Sequence, residues 1–510
     1  MSTKKFTRRE VLKYGALAGG SLLLPITLQN RGYAGDAVSG LTVKPFTQAF
    51  RKPPVLSPVR SDATTDYYEI TMRKASGQVI PGKTTQFYSY VGRGLQPSIV
   101  GPTIRQSKDR RSVVRFINDG LGTPASIHLH GMASLPQYDG YAEDLTPPGY
   151  YKDYVYPNNR AATLWYHDHA IHKTAENVYR GLAGLYVVQD DYELNLPLPK
   201  GEYDVPILIQ DKQFSANGAL IFDDGGQKSQ FGDIITVNGV AWPVMQVEQR
   251  KYRFRILNGS VSRSYRLALS TNTDFIMIGT DAGLRSAPAA VKNFRLGMAE
   301  RYECVIDFSQ FPVGTQIDLR NLSNKNNEDY ANTNKVMRFN VVAAKGTDES
   351  SVPATLRTVA PIPESSAVRT REFRYERSNG LWVINGKTWD ANRVDANPQE
   401  GDVEIWRLYN NSGGWFHPIH VHLIDAQILD RNGSAPFNYE RGWKDVFYVG
   451  ENESLRIIGK FGPNTGLYMS HCHNTVHEDH DMMNQFQVGQ GTAENNPLSA
   501  PAKKLPAGAL

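Results

Sequence analysis

Cysteine is nearly absent from this 510-residue chain, which holds only Cys304 and Cys472. At most one disulfide can form, so a fold stapled by many disulfides is excluded. No run of about 18 or more consecutive apolar residues occurs, which argues against a spanning helix. Histidine is also scarce, with 12 in the chain and none between residues 173 and 416. Helical periodicity is sparse beyond the N-terminal stretch. Short β-rich runs separated by Gly, Pro and Asn take its place, for example Ser112 to Ile117 and Gly184 to Val188. This pattern predicts an all-β protein of sandwich or barrel type.

The formal charge of +5 is concentrated at the N-terminus. Lys4-Lys5 and the run Thr7 to Lys13, with its paired Arg8-Arg9, precede an apolar stretch from Tyr14 to Leu28 and the small-residue ending Gly32-Tyr33-Ala34. Residues 1–34 have the layout of a cleavable export signal of the twin-arginine class, which implies a periplasmic or secreted protein. A basic, disordered terminus is the alternative. Cleavage after Ala34 would remove six basic residues and one acidic one, taking the formal charge from +5 to zero. The basic balance therefore implies no nucleic-acid partner.

A short repeat divides the rest. Arg-apolar-apolar-Asn ends strand-like runs at Arg115–Asn118, Arg255–Asn258 and Arg407–Asn410, with separations of 140 and 152 residues. The spacing predicts three β domains of ordinary size, at 35–195, 196–345 and 369–510. Residues 346–368, rich in Ala, Pro, Ser and Thr, read as a linker. Cys304 lies in Tyr-Glu-Cys-Val-Ile-Asp-Phe and reads as a small buried strand residue.

Eight of the 12 histidines fall in four His-x-His pairs: His128/His130, His167/His169, His420/His422 and His471/His473. Side chains alternate faces along a strand, so both members of each pair project the same way. Four such pairs could converge on one cavity, enough for several metal ions. A structural zinc site wants about four ligands, usually with thiolates, and does not fit. Cys472, between His471 and His473, points to the opposite face. His417 has opposite parity to His420 and His422 and so can join it. His477 and Met482 follow in the same segment. One Cys, two His and a weak axial Met form the ligand set of a blue-copper site. Two sites would then share one tripeptide. With no histidine from 173 to 416, the metal chemistry falls to the first and third domains, and the second reads as scaffold or spacer.

Several motifs carry a resemblance to a known family. They are Gly413 to His422, Trp443 to Val446 with Gly450 to Glu453, His471 to Met483, and the middle runs Arg250 to Arg255 and Val261 to Ser264. Over roughly residues 50–490 the chain resembles three-domain multicopper oxidases of the laccase class, above all bilirubin oxidases and bacterial spore-coat laccases. The resemblance implies three cupredoxin-like Greek-key domains and four copper ions. It places Cys472, His417, His477 and Met482 at the type 1 copper and His128 and His420 at the type 2 copper. It places His130, His167, His169, His422, His471 and His473 at the type 3 pair. Cys472 would pass electrons from a small-molecule donor toward dioxygen, which is reduced to water. Bilirubin-type tetrapyrroles, phenols and aromatic amines are the implied donors, and a monomer is expected.

Asp139 and Glu478 resemble the family's acidic residues beside the trinuclear cluster, where reducing dioxygen consumes protons. The plainer reading makes each a solvated or turn-forming acid. Trp415, two residues before His417, borders the donor site or simply packs beside the metal. Met483 competes with Met482, and register with the family favours Met482. His172 and His480 read as non-ligands. Two other functions stay open: a cuprous oxidase for copper tolerance, which the dispersed methionines disfavour, and a non-catalytic cell-envelope relative, which would be expected to lack ligands.

Overall fold

A computed structural model describes residues 38–506. The export-signal reading of residues 1–34 therefore lies outside the described residues. Strands dominate, and the longest described α-helix is Thr174–Arg180. The strands form six sheets, which fall in pairs along the chain: six- and four-stranded, then seven- and five-stranded, then five- and four-stranded. Burial alternates along strands such as Thr65–Gly77, whereas Ala162–Asp168, Asp204–Lys212 and His417–Val421 are buried on both faces. The buried apolar residues form three large cores, centred on residues such as Ile70 and Phe116, Phe254 and Phe339, and Trp406 and Ile457.

The three-fold repeat has a structural counterpart. Each Arg-apolar-apolar-Asn motif closes an eight-residue strand, at Arg111–Asn118, Lys251–Asn258 and Val403–Asn410. Each of these strands has a parallel neighbour on one side, at Thr65–Gly77, Asp204–Lys212 and Arg369–Ser378. Each has an antiparallel neighbour on the other, at Tyr150–Tyr156, Arg301–Asp307 and Ser454–Lys460. The asparagine does the same work in all three. Its side-chain amide donates to the carbonyl five residues on: Asn118 to Thr123 at 2.8 Å, Asn258 to Arg263 at 2.8 Å and Asn410 to Trp415 at 2.8 Å. Each asparagine is fully buried, so these bonds satisfy a side-chain N–H that would otherwise cost about 1–3 kcal/mol.

Cys304 sits buried on Arg301–Asp307, opposite Phe254. Within residues 346–368, Leu356 and Arg357 bond to Ser286 and Arg285 of the middle sheets, where Leu356 is buried with Leu198, Ile278, Leu284 and Val305. From Ala360 and Ile362 on, the segment bonds to Gln427 of the third pair. The last described strand, Lys503–Lys504, leaves the third pair of sheets and pairs with Tyr150–Tyr151 of the first. No described helix is long and apolar enough to cross a membrane.

Candidate metal centre

The cluster around Cys472 is built almost entirely from one segment. Strand Gly466–Cys472 ends at the cysteine, and Asn474 then starts the short helix Thr475–Asp479 by accepting from Val476 N at 3.2 Å. One helical turn carries His477 back over the sulfur, with Nδ1 3.7 Å from Cys472 Sγ. The chain then returns through Met482, whose N–H donates to His477 O at 3.0 Å and whose carbonyl accepts from Cys472 N at 3.1 Å. Met482 is buried in the same core as Cys472, whereas Met483 points to a separate cluster with Met469 and Tyr141. His417 arrives on the neighbouring strand His417–Val421, with Nδ1 3.2 Å from Cys472 Sγ and 3.3 Å from His477 Nδ1.

The eight paired histidines meet on the other side of that strand. His128 is the cross-strand partner of His167, and His420 of His471. Each HxH pair therefore faces another within its own sheet. The two sheets then face each other: His128 stacks on His422 at 3.9 Å and His130 on His420 at 3.6 Å. Ring nitrogens come within 3.2 Å for His128 and His420, 3.1 Å for His169 and His471, and 3.2 Å for His422 and His471. His473 closes the remaining corner, 5.1 Å from His130 and 5.2 Å from His167 between ring centres.

All ten histidines and Cys472 are buried. Burial lowers the basicity of nine of the histidines, to about 4 for His169 and about 3 for His417, so these rings are neutral and have a lone pair to give. Backbone and carboxylate oxygens take one nitrogen of several rings. His420 Nδ1 faces Asp445 O at 2.8 Å, His167 Nδ1 faces Asp168 O at 2.8 Å, and His422 Nδ1 faces Asp139 Oδ2 at 2.6 Å. The second nitrogen is left pointing inward. His167 Nε2, His130 Nδ1 and both nitrogens of His473 have no hydrogen-bond partner. Several orphaned acceptors in one buried pocket, with donor atoms of neighbouring triads within 4.8 Å of one another, suit bound cations. Burial also pushes the Cys472 thiol well up, so its thiolate form needs a cation beside it.

Asp139 and Glu478 both touch the histidines. Asp139 O meets His128 Nδ1, and its Oδ1 is buried without a hydrogen-bond partner, 3.7 Å from the same nitrogen. Glu478 Oε2 lies 3.0 Å from His471 Nδ1. Trp415 is half-buried and stands edge-on to His477 at 5.6 Å. His172 and His480 lie outside both clusters, bonded to Asp479 O at 2.8 Å and to Asp224 Oδ2 at 3.0 Å.

Sequence reasoning passed over two neighbours. Trp382 lies face to face with His477, 3.7 Å between ring centres, and donates to Gln227 O at 2.7 Å. The same strap, Asp223 to Ser229, brings Lys228 O to 2.8 Å from His477 Nε2. Nothing in the run Leu381-Trp-Val-Ile distinguishes this tryptophan from an ordinary core residue. The second neighbour is Asp445, whose Oδ1 is 3.0 Å from His130 Nε2.

Multicopper oxidase family models match residues 86–193 and 357–492. A bilirubin oxidase from Albifimbria verrucaria is 45% identical over 445 residues, covering 83% of this chain and 76% of that protein. A laccase from Bacillus subtilis is 33% identical, covering 88% and 99%. Among solved structures, a McoA multicopper oxidase variant from the hyperthermophile Aquifex aeolicus superposes with a TM-score of 0.80 at 31% identity, covering 87% of this chain and 100% of that one. The fold and the donor set define an all-β, cupredoxin-like metalloenzyme of the oxidase class. The chain belongs to the multicopper oxidase family. It is an oxidase that uses dioxygen as electron acceptor, and the family's complement is four coppers: one type 1, one type 2 and a type 3 pair.

Proposed function

We propose that His417, Cys472 and His477, together with Met482, would hold the type 1 copper. His128 and His420 hold the type 2 copper. The triads His130/His167/His473 and His169/His422/His471 hold the type 3 pair. Bound copper supplies one-electron redox chemistry and the reduction of dioxygen to water. One observation carries the assignment. Cys472 Sγ lies with His417 and His477, while its chain neighbours His471 and His473 point into the eight-histidine cavity. The path from sulfur to cavity is a few covalent bonds long.

Asp139 and Glu478 act as proton relays. Burial pushes the Asp139 carboxyl well above the ordinary carboxylate range, which favours its protonated form, and its Oδ2 faces His422 Nδ1. Electron donors meet the protein at Trp415 and the strap that covers His477. The donors are bilirubin-type tetrapyrroles, phenols and aromatic amines, a reading supported by the 45% identity to a bilirubin oxidase. A cuprous-ion substrate would favour exposed thioethers, yet all nine methionines among the described residues are buried. The three domains take the boundaries 35–195, 196–345 and 369–510, with a linker at 346–368. The chain is exported by the twin-arginine route and works as a monomer.

Dioxygen uptake by copper-loaded protein tests this reading, with bilirubin, a phenol, an aromatic amine and cuprous ion as donors. Turnover of bilirubin above cuprous ion is the expected result. Turnover of cuprous ion alone would replace the organic donor, and a protein that takes up no copper would remove the ligand assignment.

A further inference from the structure

The histidine-free middle of the chain reaches the copper cavity. The turn Thr280-Asp281-Ala282 grips the segment Trp443 to Val446. Thr280 Oγ1 and Ala282 N donate to Trp443 O at 2.8 and 3.1 Å. Asp281 Oδ2 accepts from Lys444 Nζ at 2.8 Å, from Asp445 N at 3.3 Å and from Val446 N at 3.2 Å. Arg301, on the strand Arg301–Asp307, closes a fork on Asp445, with both oxygens at 2.6 Å. Its Nε donates to Thr163 O at 3.0 Å, on the strand that carries His167. Asp281, Arg301, Lys444 and Asp445 are all buried.

The gripped segment ends on two histidines from different parts of the chain. Asp445 Oδ1 meets His130 Nε2 at 3.0 Å, which leaves His130 Nδ1 as the inward lone pair. Asp445 O meets His420 Nδ1 at 2.8 Å and leaves Nε2 turned toward His128. A buried ion-pair network stabilises little more than apolar residues of the same volume. Its value here is positional: a carboxylate or carbonyl behind a ligating imidazole sets the tautomer and the ring angle.

We infer that Asp281 and Arg301 of the middle part, acting through Asp445, are positioning residues for the trinuclear site, fixing His130 and His420 together. The inference rests on the assignment of those two histidines as copper ligands. The experiment uses the full-length holoenzyme carrying Asp445→Asn, Arg301→Gln or the paired change Arg301→Met with Asp445→Leu. The paired change removes both charges at once, so no lone charge is left buried and the fold is retained. Copper per chain is measured under limiting copper, together with the type 2 electron paramagnetic resonance signal and the blue absorbance.

The expected result is unchanged blue absorbance, a shifted or lost type 2 signal and copper binding at the cavity weaker by about 10- to 100-fold. Glu300→Gln sits in the same network, where Glu300 meets Lys444 Nζ at 3.0 Å, but touches neither histidine. It should lower only the melting temperature. Parent copper content and a parent type 2 signal in all three variants would overturn the inference. His130→Ala and His420→Ala, run alongside, separate the two ideas: if they too keep four coppers, the ligand assignment has failed rather than the positioning.

Discussion

The two metal clusters share a tripeptide but are built in opposite ways. The sulfur cluster draws Cys472, His477 and Met482 from one short segment and needs only His417 from a neighbouring strand. The eight-histidine cavity takes half its rings from strands before residue 170 and half from strands after 419, and the middle part braces it. The donors of one site lie mostly within one short segment, while those of the other come from both halves of the chain. A local site should survive damage elsewhere, while the assembled one should be sensitive to it.

Breaking each site singly is the sharpest test of that contrast. Cys472→Ser should abolish both blue colour and oxidase activity. His420→Ala should abolish activity to the same extent and keep the colour, read by visible absorbance and dioxygen uptake. A colourless His420→Ala protein would mean the two sites do not fold independently.

Acid should separate them next. Nine buried histidines have basicity pushed below the ordinary 6.5, and seven of these belong to the cavity. Unfolded, these rings take up protons below pH 6.5, while the folded metal-free protein does not. Its stability is therefore full above that pH and falls below it, by roughly 1.4 kcal/mol per histidine per pH unit. The window runs down to about 4 for His169 and about 3 for His417. Melting temperatures of chelator-stripped protein between about pH 7.5 and pH 5 should drop steeply, and bound copper should flatten the curve. A flat curve for the stripped protein would remove the electrostatic account of the cavity.

Smaller effects belong to the sulfur side. Trp382→Phe keeps an aromatic ring over His477 but gives up part of the overlap and the bond to Gln227 O. The stacked pair is worth about 0.5–1.5 kcal/mol, so donor kcat/KM should fall about 3- to 10-fold with the blue absorbance kept. An unchanged value would place donor contact away from this tryptophan. Smallest of all, His480→Ala removes a half-exposed pair with Asp224 at the root of the strap. It should cost at most about 1 kcal/mol of stability and leave the copper content as it was.

Much of the sulfur cluster was legible because strand parity is a local property. The cysteine between two histidines and the offset of His417 both follow from a period of two. Parity also placed the members of each HxH pair on one face. It could not show which pairs oppose each other, since the His128/His167 and His420/His471 registers depend on strand pairing. The repeated asparagine marked strand ends in the sequence, but its bond to the carbonyl five residues on appears only once the chain turns back. Nothing in the sequence marked Lys444, Asp445 and Arg301 as a buried network, since charged residues are seldom fully buried. Their partners come from far along the chain. The middle part, read from its lack of histidine as a scaffold or spacer, touches the cavity through residues that are not metal ligands.

The pairing of Lys503–Lys504 with Tyr150–Tyr151, extended by Leu505 N to Gly149 O at 2.9 Å, gives the chain a closed mechanical circuit. The two walls of the copper cavity lie at opposite ends of the polypeptide, and this tail stitches the late wall back to the early one. A motion that parts the walls would also pull on the pairing of this tail with Tyr150–Tyr151. A few residues with no chemistry of their own thus help to keep the spacing between histidines constant.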